Sequence, residues 1–423
     1  MAHMSAYLIA ILAVLFIVLP TFLREPLPGH FGGRTEPKFK LVGEVFKQNF
    51  GDGWENEGAA FAVYHKGRLV VDLWGGYADS TSQRKWNQDT ITVAYSSTKA
   101  LSALCIGKLV NDNRLEYVKL VTDYWPEFGR HGKGNVTVQM LLEHKAGLAA
   151  LDKPVSLKTA SDWKEMSKVL ESQVPNWPPG AYVGYHAVTF GWLVDQLVRR
   201  ADVKHRSVGQ YFKEEIQSIS GGSNEFFIGL PKSEFHRLTR QADAGVWDTI
   251  GHMFTSLPLA IYTLLMYTIG SPNPLLIKVF GNPDWALGNA RNGFNNPDVL
   301  MIEMPASNGV GTARGLALPF VAALKGKLID RKLLHRLAQP TNIDVDDQVL
   351  GIPVSQGHGF GHTRQLKDPN NWLFGHPGYG GQNVKIDVKN ELVFAYLHNS
   401  MKSGSGDMAR TFRRLYEAVY ASL

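Results

Sequence analysis

Ser96-Ser97-Thr98-Lys99 opens the run AYSSTKALSALCIGKLV. A serine and a lysine at i and i+3 of a helix share one face. The serine stands at the positive end of the helix dipole, where backbone N–H groups lack intrahelical partners. The pair supplies a hydroxyl nucleophile, an amine that serves as its base when neutral, and one N–H for an oxyanion. Beyond Lys99 the run is apolar on nearly every side, through Leu101, Leu104, Cys105, Ile106, Leu109 and Val110. Such a helix is expected to be central and buried, so a lysine at its head needs a reason. The plainer alternative is a serine N-cap with a lysine reaching the surface.

Two further clusters could join this pair. Tyr185 follows the loop Pro178-Pro179-Gly180 and just precedes an amphipathic helix. A phenol beside a lysine ammonium loses its proton more readily and can act as a general base. His186 is adjacent and could do related work. Alone, Tyr185 reads equally as a core tyrosine with a bonded hydroxyl. The third cluster, Phe374-Gly375-His376-Pro377-Gly378-Tyr379-Gly380-Gly381-Gln382, stands immediately before a strand. Glycines there let the backbone approach a substrate, and a strand edge can offer a second N–H to an oxyanion. A phosphate loop is excluded, because no Gly-Lys-Ser/Thr closes the motif and a strand follows it.

The elements that must carry these residues are legible on both sides. Ala59–Tyr64 and Leu69–Trp74 flank His65-Lys66-Gly67 as one hairpin, and Val384–Val388 with Leu392–Leu397 flank Lys389-Asn390 as another. FKLVGEVFKQNF reads as a short amphipathic helix, and Asp407–Leu423 as a closing one. Between the hairpins helices dominate, at Ser96–Val110, Val138–Glu143, Ser161–Glu171, Val188–Arg200 and Thr312–Leu324. The fold class expected is α+β: an antiparallel sheet built from N- and C-terminal hairpins with flanking helices, plus an inserted helical subdomain at about 110–370.

Composition narrows the chemistry. Of 423 residues 44% are hydrophobic and 19% charged, which is globular rather than disordered. The net charge of +6 is spread along the chain, so no nucleic-acid partner is expected. Cys105 is the only cysteine, which rules out internal disulfides, Cys-based zinc sites and Cys-pair redox chemistry. Hydroxyls, carboxylates, lysine and histidine must do the work. Residues 1–5 read as a tail in which MAHM is a cloning remnant ahead of Met4. Residues 6–23 carry no charge and read as a membrane anchor or a signal, with a Pro/Gly-rich linker at 24–38 and one domain over 39–423. Residues 249–277 hold the apolar stretch LPLAIYTLLMYTI, read either as a core helix or as an apolar lid near a substrate entrance. A single N-terminal anchor would make the chain membrane-associated, mitochondrial or endomembrane, on a side the sequence does not give.

As an ordered set these motifs resemble the serine β-lactamase/penicillin-binding-protein superfamily, from roughly Phe39 to Leu423. The nearest likeness is to its class C-like esterase branch and to the mitochondrial serine β-lactamase-like proteins of animals. Ser96–Lys99 matches the Ser-x-x-Lys element, Tyr185 falls where that branch keeps a tyrosine, and His376-Pro377-Gly378 stands where Lys-Thr-Gly would be. The stretches Met140–Leu148 and Ser307–Gly315 are similar too. The resemblance implies a β-lactamase/transpeptidase-like fold and a serine hydrolase with Ser96 as nucleophile and Lys99 and Tyr185 as bases. It places His376, Gly378, Tyr379, Gly380, His186 and Asn308 around the substrate and oxyanion, with no metal and no cofactor. Two departures are informative. Tyr-x-Asn has become Tyr185-His186-Ala187, and Lys-Thr-Gly has lost both its cation and its hydroxyl. Those groups would grip a carboxylate, so their loss favours a neutral small-molecule or lipid-like acyl ester over a β-lactam or peptide. The rival readings are a catalytically idle, self-assembling scaffold at a membrane surface, or a true β-lactamase or peptidase. A homo-oligomer is compatible with any of these.

Overall fold

The computed structural model describes residues 27–243, 273–288, 293–402 and 406–423. Its thirteen strands are β1 (Phe31–Thr35), β2 (Gly58–His65), β3 (Arg68–Asp79), β4 (Arg84–Lys85), β5 (Thr92–Val93), β6 (Phe226–Ile228), β7 (Gly309–Gly311), β8 (Asn342–Asp346), β9 (Pro353–Gly357), β10 (Phe360–Gln365), β11 (Asp368–Pro377), β12 (Asn383–Asp387) and β13 (Leu392–His398). The main antiparallel sheet runs β1-β3-β2-β13-β12-β11-β10-β9-β8, with β4 on β3. A small sheet, β5-β7-β6, stands apart from it.

The two hairpins read from the sequence meet as expected: β13 pairs with β2, Ala62 opposite Ala395. Side chains alternate between two cores, as the period of two requires. Phe61, Val63, Phe394 and Tyr396 face the helices α1 (Lys40–Gly51) and α5 (Arg410–Ala421) through Phe46, Phe412 and Leu415. Ala60, Ala62 and Ala395 face the opposite core. There small side chains let α4 (Ala313–Leu324) lie close over β2 and β13. Both faces are covered, so β2 and β13 read as nearly unbroken apolar runs.

The helix after the serine motif, α2 (Thr98–Asn111), is the hub. Eleven of its 14 residues are buried, Lys99 among them. It packs against α3 (Thr189–Ala201), buried along most of its length. An all-round apolar helix can be stable only at the centre of a protein or in lipid. Here it is the centre.

Three expectations are corrected. The linker at 24–38 contains a strand: β1 pairs with β3, Gly33 opposite Leu73. Its Phe-Gly-Gly-Arg-Thr sequence lacks the β-branched alternation that marks strands, and Gly33 is needed because a Cβ there would meet the Asp72 carbonyl. The helical insertion ends before Asn342, not near 370, because β8, β9 and β10 extend the main sheet. These strands are short and mixed in polarity, so no clean alternation announced them. The membrane-associated placement, with its single anchor, is not supported either: among the described residues no helix is long and apolar enough to cross a membrane. Residues 6–23, and Leu257–Ile269 of the apolar stretch, lie outside the described residues.

Candidate active site

Ser96 sits on a short 3-10 turn, Tyr95–Ser97, that feeds directly into α2. Tyr95 just before it holds a left-handed backbone (φ +46°), a conformation that costs an aromatic residue about 1–3 kcal/mol. Its buried ring is pinned by edge contacts, 5.1 Å from Phe294 and 5.9 Å from the half-exposed Tyr379. The turn is tied from both sides. Thr98 Oγ1 donates to the Tyr95 carbonyl (2.6 Å) and accepts the Gly309 N–H of β7 (3.0 Å). Ser97 Oγ donates to the His376 carbonyl of β11 (3.0 Å).

Lys99, one helical turn on, is fully buried. Its Nζ lies 2.7 Å from the Ala187 carbonyl, 3.0 Å from the Ala306 carbonyl and 3.3 Å from Ser96 Oγ. No carboxylate is among these partners, and burial holds the amine well below the ordinary lysine value. Two carbonyls can take both N–H bonds of a neutral amine, which leaves its lone pair for Ser96. Tyr185 O–H donates to the same Ser96 oxygen at 2.8 Å, and its ring lies 4.8 Å from Lys99 Nζ. Burial pushes the phenol above its ordinary value, the Ser96 bond opposes that, and the charge of Asp347 adds to it. The Ser96, Lys99 and Tyr185 side chains therefore converge on one oxygen.

The remaining predicted residues divide. His376 is buried, with its ring stacked 6.0 Å from Tyr185, and Nδ1 is bonded to the Pro377 carbonyl (2.7 Å). Burial lowers it to about 3, so it is a neutral imidazole. Gly378 passes close under the serine turn. A Cβ there would stand 2.7 Å from the Ala94 carbonyl and 2.6 Å from Gln382 Cβ. Gly380 adopts φ +74°, turning the chain after Tyr379 back towards β12. Gly378→Ala is expected to lower kcat by roughly 10²-fold, the scale of a displacement near 1 Å at the reacting groups. Ester turnover by the purified, folded variant measures it, and an unchanged kcat would refute the close fit.

His186 and Asn308 do not turn their polar atoms to the Ser96 oxygen. His186 is fully buried, donates from Nδ1 to the Gly184 carbonyl (2.6 Å) and accepts the Leu148 N–H at Nε2 (3.0 Å). Both nitrogens are consumed, so the ring braces the loop. Asn308, equally buried, donates to the Val299 and Ile302 carbonyls and accepts the Met304 N–H. It staples the turn that presents the Ala306 carbonyl to Lys99. Sequence reading missed His144, whose carbonyl accepts the Gly184 N–H (3.0 Å) and whose Nδ1 accepts the His186 N–H (3.2 Å). Its ring lies 5.1 Å from that of Tyr185. It stood inside the Met140–Leu148 stretch, and only that likeness pointed to it.

Comparison with known proteins agrees with this geometry. The family model described as Beta-lactamase matches residues 46–418. The chain belongs to the beta-lactamase family. Esterase/beta-lactamase LipL of Mycobacterium tuberculosis is 30% identical over 379 residues, 88% of this chain and 83% of that protein. Among solved structures, a family VIII carboxylesterase is 33% identical with TM-score 0.77, over 93% of this chain and all of its own. A penicillin-binding protein homologue from Caulobacter crescentus is 32% identical with TM-score 0.78, over the same 93% and 100%. This member of the beta-lactamase family is a serine hydrolase with the β-lactamase/transpeptidase-like fold. The idle-scaffold alternative is not favoured. The two relatives named here with their source, both bacterial, lend no support to the mitochondrial or endomembrane placement.

Proposed function

We propose that the chain hydrolyses neutral carboxylic esters through a Ser96 acyl-enzyme, with Lys99 as base and Tyr185 as proton relay. The observation that carries the assignment is the Ser96 oxygen held between Lys99 Nζ (3.3 Å) and the Tyr185 hydroxyl (2.8 Å). Ser96 gives its proton to the neutral Lys99 as its oxygen bonds to the acyl carbon. The oxyanion lies against the N–H groups of Ser96 and Tyr379. As the ester bond breaks, Tyr185, whose proton burial retains, protonates the leaving alkoxide, and the Lys99 ammonium restores it. Water then attacks the acyl-enzyme by the same relay in reverse, releasing the acid and the Ser96 hydroxyl.

The neutral imidazole of His376 supports the substrate class. The Lys-Thr-Gly position holds neither a cation nor a hydroxyl, so a substrate carboxylate meets no charge there. The names of the relatives, a family VIII carboxylesterase and an esterase/beta-lactamase, accord with an uncharged acyl ester. Short p-nitrophenyl esters are expected to give a higher kcat/KM than nitrocefin or penicillins. A nitrocefin kcat/KM equal to that of the best ester would point to a true β-lactamase instead. His376→Lys with Pro377→Thr moves the preference towards anionic substrates.

A further inference from the structure

The residue that mounts Tyr185 on its far side is Asp347, in the connection between β8 and β9. Its carboxylate is 2% exposed. Oδ1 accepts three backbone N–H groups: Val349 (2.9 Å), Leu350 (2.9 Å) and Tyr185 (3.0 Å). The first two are local and close the turn in which Asp347 stands, as short acidic side chains commonly do. The third is not, since it reaches across the structure to the residue that touches Ser96. The surrounding backbone repeats the connection: the Gln348 N–H donates to the Val183 carbonyl (2.9 Å), and Val183 bridges Asp347 in parallel. Among the described residues no cation pairs with this carboxylate. Its bonds are to backbone alone.

A buried carboxylate with no counter-charge is costly to keep. Capping its own turn would be served equally by an uncharged asparagine. What the charge adds is a stronger bond to each N–H, because an ionised acceptor roughly doubles the strength of a hydrogen bond. Tyr185 is thereby gripped from opposite sides. His144 takes the N–H groups of Gly184 and His186, and Asp347 takes the one between them. Around the phenol stand the Ser96 oxygen, Lys99 Nζ at 4.8 Å from the ring, and the rings of His144 and His376. Among the described residues the hydroxyl has no hydrogen-bond partner besides Ser96, so its aim depends on how the backbone is held. We infer that Asp347 is a positioning residue for the reaction, fixing the Tyr185 backbone so that the phenol meets Ser96. The inference rests on the assignment of Tyr185 to the proton relay.

A double-mutant cycle on the full chain tests it, using p-nitrophenyl butyrate turnover and thermal unfolding of each variant. Asp347→Ala is expected to lower kcat roughly 10-fold or more with KM within about two-fold, and Asp347→Asn, which keeps the acceptor oxygen, to restore most of that loss. In a Tyr185→Phe background the same Asp347→Ala change is expected to lower kcat no further, because the group it aims is gone. A general loss of folded protein would instead lower turnover equally in both backgrounds, which overturns the proposal. So would a loss expressed in KM alone. If Asp347→Ala does not fold, Asp347→Glu takes its place in the cycle, since its extra methylene misplaces the acceptor while keeping the charge. If Tyr185→Phe alone retains wild-type kcat, the relay assignment has failed and this inference falls with it. If Tyr185→Phe is slow but the Asp347 loss is fully additive, only the positioning role is lost.

Discussion

Ser96→Ala lowers kcat for ester hydrolysis by roughly 10⁶-fold, the scale seen when a serine hydrolase loses its nucleophile, and removes labelling by a fluorophosphonate probe. The fold should survive. Ser96 Oγ caps no helix, and its removal leaves the Tyr185 hydroxyl without its acceptor, a cost of about 1–3 kcal/mol. Thermal unfolding of the alanine variant measures that part, and mass spectrometry of the probe-treated protein measures the other. An adduct elsewhere on the alanine variant, or turnover within ten-fold of wild type, would remove Ser96 from the mechanism.

Lys99→Met is the second large effect, about 10²–10⁴-fold in kcat, the range of a lost general base. The substitution keeps most of the stem volume at a fully buried position, so the rate loss should come without wholesale unfolding. The pH dependence has a definite sign. Burial favours the neutral amine, and only that form can take the serine proton. Turnover is therefore lost as pH falls through the folded-state value of Lys99 and is present above it. In Lys99→Met this acid limb should vanish with the rate. A wild-type kcat that stays flat on acidification, or a methionine variant that retains the limb, would assign the base to another group.

How far the sequence led depends on which part of a residue does the work. The roles proposed for Ser96, Lys99 and Tyr185 are side-chain roles in a fixed order along the chain, so their types and spacing could be read. The carbonyls of Ala187 and Ala306 that hold Lys99 act through backbone, which every residue has, and no pattern marks them. His186 and Asn308 were named for contact with substrate because they adjoin the motifs. Their polar atoms are in fact spent inside the protein, a matter of three-dimensional neighbours that adjacency in sequence does not report. Asp347 passed unnoticed for the converse reason, since it lies far from Tyr185 in the chain. The sheet divides in the same way. The hairpins β2–β3 and β12–β13 carry long apolar runs around recognisable turns, whereas β1 is glycine-rich and β8 to β10 are short, and their place is set by neighbours already in the sheet.

The position of β13 between β2 and β12 bears on how the molecule is made. Ala62 is synthesised more than three hundred residues before its partner Ala395. At about 5–20 residues per second the ribosome takes tens of seconds to bridge that interval. Throughout it the apolar flank of β2 has no strand to pair with, the kind of open edge that invites association between nascent chains. The turn that carries Ser96 is likewise held only once β11 has been made, because its His376 carbonyl accepts the Ser97 hydroxyl. A cell producing this protein must therefore shelter an incomplete sheet throughout that interval, and the Ser96 turn gains its support only as the sheet nears closure.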